Sequence, residues 1–203
     1  QLHIGLIFGK SSTKTTTEVQ NISMNAIKHR RDFLLASAAL ATSHAWAQPA
    51  APQSAASLER VAPELPALGN MLKVPDVQLL DGQTFSLASQ NASRVWVLYW
   101  WSSTCPFCAL QSPEMQKLWL AYKDRGLSML TLSIDKKAAD ASAYLEKRRY
   151  SFPAAWVTPE FQKALPKPRG LPITLVCSPT GKLLQAERGQ MFAEDVALIS
   201  RWL

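Results

Sequence analysis

An apolar run, Trp96-Val97-Leu98-Tyr99-Trp100-Trp101, passes through Ser102-Ser103-Thr104 into Cys105-Pro106-Phe107-Cys108, after which apolar residues recur at helical spacing. A strand that feeds a helix through a Cys-x-x-Cys constrains the fold more than any other stretch of the chain. Two cysteines three apart on a first helical turn hold their β-carbons about 5–6 Å apart, a small adjustment away from disulfide geometry. The pair can open and close without moving the rest of the fold. As a staple it would do little, because closing a four-residue ring removes only about 2 kcal/mol of unfolded-chain entropy, against more than about 4 for a loop of about 70 residues. At a helix N-terminus, unpaired amides and the helix dipole stabilise a thiolate on the first cysteine. Cys105 is therefore expected to attack and Cys108, one turn deeper, to resolve.

A structural zinc would need more cysteine or histidine than the chain offers. The histidines are His3, His29 and His44, all in the leader, and Cys177 is the lone further thiol. Four such ligands cannot be assembled from residues 48–203, so no metal or other cofactor is expected beyond the Cys105–Cys108 disulfide itself.

Residues 1–23 read as a non-native or misassigned extension, beginning with Gln1 and rich in Ser, Thr and Lys without a hydrophobic period. Residues 24–47 read as an export signal. It has a basic Lys28-His29-Arg30-Arg31, an apolar Phe33 to Ala45, and a small-x-small cleavage site at Ala45-Trp46-Ala47. The apolar stretch falls short of the roughly 20 residues that span a bilayer, so cleavage rather than permanent anchoring is expected. Arg30-Arg31-Asp32-Phe33-Leu34 is similar to a twin-arginine signal, and either export route leads to the periplasm. Residues 48–71 form an Ala/Pro-rich linker, and residues 72–203 a single domain of ordinary size.

The formal charge of +7 falls once the leader is set aside, since residues 1–47 carry five of the 22 basic and two of the 15 acidic residues. The short clusters Lys147-Arg148-Arg149 and Lys167-Pro168-Arg169 lack interleaved aromatics and read as solvated faces, not as a nucleic-acid platform.

Val74 to Leu87 reads as a hairpin turning at Asp81-Gly82, and Arg94 to Trp101 as a strand buried on both faces. A helix starts at Pro106 and stops at Gly126, with a kink expected at Pro113. Then come a strand from Leu127 to Ile134, a helix from Ala138 to Arg149, a strand from Ala154 to Val157 and a helix from Thr158 to Leu165 capped by Thr158. Strands Ile173 to Cys177 and Leu183 to Glu187 flank a Pro179-Thr180-Gly181 turn, and a helix from Phe192 to Leu203 closes the chain.

Cys105-Pro106-Phe107-Cys108 at a strand-to-helix junction, Pro113 five residues on, and Gly170-Leu171-Pro172 before a strand together resemble the α/β thioredoxin fold over residues 72–203. The N-terminal β-hairpin, the central insertion from Phe152 to Leu165, and Ser178-Pro179-Thr180-Gly181-Lys182 make the chain most similar to exported thiol–disulfide oxidoreductases of the TlpA/ResA type. That resemblance implies a protein-disulfide oxidoreductase whose partners are a protein disulfide substrate and a membrane or periplasmic thiol donor, acting as a monomer. It also implies that Pro172 is cis, packs beside the dithiol, and presents the Leu171 backbone to substrate. Without it a trans turn would be the reading, since only about 5–6% of X-Pro bonds are cis.

The chain departs from the family pattern at three places. A buried acid six residues before the first cysteine is replaced by Tyr99, a glutamate three residues after the second cysteine by Gln111, and the tryptophan before the first cysteine by Thr104. With neither carboxylate present, the proton of the resolving thiol is left to water, to Tyr99 or Gln111 as hydrogen-bond partners, or to no group at all. Glu114 reads as a surface helix residue.

Trp101 is placed to border the active site and shield the thiolate, and Cys177 reads as an inert core thiol. The reduction potential is expected between those of thioredoxin and DsbA, about −270 and about −120 mV, which leaves a disulfide oxidant or isomerase as an alternative to a reductase. A Cu(I) metallochaperone is a third reading, because soft thiolates at this spacing bind Cu(I). Its usual form in this fold needs a distant histidine and a Cys-x-x-x-Cys, and residues 48–203 have neither. A peroxidatic cysteine would want a proline where Leu98 stands.

Overall fold

A computed structural model describes residues 61–90 and 93–203. The expected extension (1–23), the export signal (24–47) and the head of the linker lie outside the described residues.

The Asp81-Gly82 turn joins β1 (Val77–Gln78) to β2 (Thr84–Phe85) in an antiparallel hairpin. The Asp81 carboxylate accepts from the Gln83 amide at 2.9 Å, and Gly82 supplies the positive φ of the turn. Next is β3 (Val95–Trp101), buried along its whole length as the apolar run requires. It pairs in parallel with β4 (Leu127–Ser133), and β4 in parallel with β5 (Ala154–Trp156). On its other side β3 meets β6 (Ile173–Cys177) antiparallel, and β6 meets β7 (Leu183–Arg188) antiparallel. The five strands lie in the order β5-β4-β3-β6-β7.

The two-residue period of β3 divides the core. Val95, Val97, Tyr99 and Trp101 join a cluster with Cys108, Met115 and Leu118, whereas Trp96, Leu98 and Trp100 join another with Phe85, Phe161, Leu175 and Cys177. Cys108 and Cys177 therefore lie on opposite faces of the sheet. Helix α1 (Pro106–Tyr122) starts on Pro106, whose missing N–H costs nothing at that position, and runs unbroken through Pro113. It presents Cys108, Gln111, Ser112, Met115 and Leu118 to the first cluster. Helix α2 (Ala138–Arg148) ends on Arg149 in the left-handed region, and α3 (Pro159–Ala164) is capped by Thr158, whose hydroxyl accepts from the Phe161 amide at 3.1 Å.

The closing helix differs from expectation. It is α-helical only as α4 (Ala193–Ala197) and tightens into a 3-10 helix over Leu198–Trp202. The apolar residues it buries, Val196 and Ile199, are three apart, a spacing that both helix types satisfy.

Both sheet edges are covered by the segment ahead of β3. Leu80 donates to Ala154 O beside β5, while Leu183 donates to Asn70 O and Gly69 to Leu183 O beside β7. Leu72 donates to Gly181 O, and a β-carbon on Gly181 would stand 2.7 Å from Leu72 O, so this turn requires glycine. Residues 63–71, on the linker side of the boundary expected at 72, are thus fastened to the sheet. Arg169 donates its amide to Pro63 O, and Glu64 pairs with Arg169 and Arg188. The two guanidiniums, Arg188 foremost, hold the Glu64 carboxyl below its ordinary range.

One of the charges read as part of a solvated face is not, although its neighbour Arg169 is exposed. Lys167 is buried, its ammonium donating to the carbonyls of Pro168 at 2.7 Å and Gly170 at 2.9 Å, which makes burial of the charge tolerable and shapes the loop ahead of β6.

Candidate active site

The β3–α1 junction places Cys105 at the N-cap of α1, with extended backbone (φ −85°, ψ 115°), and Cys108 on the first turn. Their α-carbons are 5.2 Å apart and their sulfurs are joined as a disulfide. Cys105 is partly exposed and Cys108 is 1% exposed, so the outer sulfur alone faces an incoming partner. The Cys108 amide points at Cys105 Sγ from 3.1 Å. In a reduced pair the same donor and the helix dipole are placed to favour negative charge on Cys105 Sγ. Pro106 and Phe107 project outward between the cysteines, and Leu110 is exposed one turn on.

Beside this end of β3, Ile173 pairs with Trp100, so the preceding Leu171–Pro172 lies next to the start of α1. The Leu171–Pro172 peptide is cis, Pro172 O accepts from the Gly189 amide at 2.8 Å, and Leu171 packs on the same core cluster as Cys105. Thr104 is exposed, its hydroxyl 3.1 Å from Ser102 Oγ. Trp101 is wholly buried in the cluster that holds Cys108 and lies against Tyr144 with ring centroids 5.4 Å apart.

The two residues standing where the family carries acids are both fully buried, and neither hydrogen-bonds a sulfur. Tyr99 reaches Cys108 O at 3.3 Å and Ser112 Oγ at 3.0 Å. Burial pushes its phenol well above the ordinary range, so it stays protonated. Gln111 donates to Thr174 Oγ1 at 2.9 Å and accepts from the Met191 amide at 2.8 Å, tying α1 to β6 and to the loop after β7. A carboxamide neither gains nor loses a proton near neutral pH, and with both ends engaged Gln111 relays none. These contacts take Tyr99 and Gln111 away from the resolving thiol's proton. Glu114 pairs with Lys117 on its own helix at 2.8 Å.

Cys177 is free and buried, and burial pushes its thiol up to about 12. Together with its place on the far face of the sheet, this separates it from the disulfide chemistry.

The largest omission from the sequence reading is Asp135. It follows β4, is 7% exposed, and gathers the loop that leads into Cys105. Ser102 Oγ donates to Asp135 Oδ1 at 2.6 Å, the Ser103 amide and hydroxyl donate at 3.0 and 2.9 Å, and Ser133 Oγ donates to Oδ2 at 2.8 Å. One signal was present: a lone acid immediately after an apolar strand, with a Ser-Ser pair at the end of the neighbouring strand.

Three comparisons place these features among known proteins. The chain is 25% identical over 123 residues to the thiol-disulfide oxidoreductase ResA of Oceanobacillus iheyensis, covering 58% of this chain and 64% of that one. It therefore spans a little under two thirds of that curated relative. A thioredoxin family thiol:disulfide interchange protein from Chlorobium tepidum superposes with a TM-score of 0.60 at 19% identity, covering 67% of this chain and 97% of that one. StoA from Bacillus subtilis superposes with a TM-score of 0.54 at 18% identity, covering 66% and 99%. The fold is thus the thioredoxin fold. Residues 71–186, more than half of the sequence, match the AhpC/TSA family, and the chain belongs to it.

Proposed function

We propose that the protein is an exported thiol–disulfide oxidoreductase working as a disulfide reductase. The observation that carries this reading is the Cys105–Cys108 disulfide at the N-terminus of α1, outer sulfur accessible and inner sulfur buried. The similarity to a relative named for thiol–disulfide exchange supports it, as does the leader-like segment at residues 24–47.

In the reaction, the Cys105 thiolate attacks one sulfur of a protein disulfide. That S–S bond breaks, its other sulfur leaves as a thiolate that takes a proton from water, and Cys105 is left in a mixed disulfide. Cys108 loses its proton to water and attacks Cys105 Sγ, which expels the second substrate sulfur and closes the Cys105–Cys108 bond. Two electrons pass from the dithiol to the substrate, and a membrane or periplasmic thiol donor returns them.

The test is a Cys108→Ser variant with a disulfide-bonded protein substrate, alongside the reduction potential of the parent couple. Accumulation of a Cys105 mixed disulfide, with a potential below about −220 mV, supports the reductase, whereas a value above about −160 mV turns the reading into an oxidant or isomerase. Absence of the mixed disulfide, with tight stoichiometric binding of Cu(I) by the reduced parent, overturns it in favour of a metal carrier.

A further inference from the structure

We propose that Asp135 is a positioning residue for the dithiol, which holds the β3–α1 loop through Ser102 and Ser103 and sets a fixed negative charge behind Cys105 that opposes its thiolate. The inference rests on the oxidoreductase reading and names the residue that biases that couple toward reduction of its partners.

Every polar group at the head of the loop is organised by this carboxylate. Ser102 Oγ, bonded to Asp135 at 2.6 Å, also lies 3.1 Å from Thr104 Oγ1 and accepts from the Thr104 amide at 3.3 Å. Ser102 O in turn accepts from the Cys105 amide at 3.1 Å. Asp135 thus reaches Cys105 through one residue, and the loop cannot shift without breaking bonds to a buried charge. From below, the residue is fixed as well: its own amide donates to Ser133 Oγ at 3.1 Å, and its carbonyl accepts from Trp156 Nε1 at 2.7 Å.

The donors that meet the carboxylate, three serine hydroxyls and one backbone amide, are all neutral. They solvate the charge without cancelling it. Of the cations near it, Lys136 and Lys137 lead exposed into α2, and Lys167 lines a surface groove together with Asp135 and Trp156, its ammonium donating to the carbonyls of Pro168 and Gly170. A loop brace alone would need only an acceptor, which an asparagine supplies. A carboxylate adds a like charge against the thiolate of Cys105, and a less stable thiolate means a less stable reduced state and a more reducing couple.

Asp135→Asn in the full chain separates charge from bracing, because it keeps an acceptor oxygen for Ser102 and Ser103. The readouts are the pH profile of Cys105 alkylation, mapped by mass spectrometry, and the Cys105–Cys108 equilibrium in glutathione buffers. The alkylation midpoint is expected to fall by about half to one pH unit, and the equilibrium to move about three- to tenfold toward the dithiol. A structural brace would lower the melting temperature and leave both readouts in place, and that result overturns the proposal. Should Asp135→Asn fail to fold, Ser103→Ala perturbs the charge more gently: it deletes one hydroxyl donor, leaves the carboxylate less solvated, and is expected to raise the midpoint. An unmoved or lowered midpoint in Ser103→Ala overturns the proposal. A parent chain whose disulfide exchanges with no glutathione refutes the oxidoreductase reading itself, whereas a cycling parent with an unchanged variant refutes only the role of Asp135.

Discussion

The two halves of the disulfide are built from different materials. Around Cys105 the supports centre on one buried charge: Asp135, the neutral serines it gathers, and the amide aimed at the sulfur. Around Cys108 they are neutral and sealed: Tyr99 with Ser112, and Gln111 with Thr174 and the Met191 amide. The outer half can be tuned by charge, and the inner half can only be held in place. A resolving cysteine in such a setting has its position fixed by the core.

Removing the outer sulfur breaks the contrast most severely. Cys105→Ser is expected to abolish disulfide exchange, whereas Cys108→Ser retains the first attack and stalls at the mixed disulfide, a difference readable by mass spectrometry of the trapped species. On the inner side, Gln111→Ala strands the Met191 amide and Thr174 and leaves a void. It should cost about 2–4 kcal/mol in denaturant unfolding while the reduction potential stays near the parent's. A large potential shift without loss of stability would contradict the division between a tuned and a held half.

The third cysteine sharpens the same contrast through pH. The folded Cys177 thiol sits near 12, above its unfolded value near 9, so the folded state holds this proton more tightly. The resulting stability is complete below about pH 9 and is lost as pH rises toward the folded value, by about 1.4 kcal/mol per unit. Tyr99, also raised by burial, adds a loss of the same sign above its own ordinary value. Unfolding curves of Cys177→Ala should show a shallower decline between pH 9 and 11 than the parent. The smallest expected effect is Thr158→Ala, which removes a helix cap remote from both halves. It should cost about 1 kcal/mol and leave the exchange kinetics unchanged.

Much of this could be read in advance because it is local. The Asp81-Gly82 turn, the proline at the first position of α1 and the threonine cap of α3 each fix their own neighbourhood. What escaped the sequence is what joins distant residues. Asp135 meets Ser102 across 33 positions, Gln111 meets Met191 across 80, and Arg188 meets Glu64 across 124. Lys167 shows the same limit from the other side, for a basic residue in a polar cluster reads as solvated until the carbonyls that receive it are folded around it. The 3-10 ending of the last helix was hidden because two buried residues three apart suit either helix.

The fastening of Pro63 and Glu64 to Arg169 has a directional meaning. Arg169 stands two residues before Leu171, so the polypeptide enters the domain at the rim that carries the disulfide, and Val61 lines the same groove as Asp135. Loosening Glu64 from its two arginines would therefore be felt at the loop that carries Leu171, beside the disulfide.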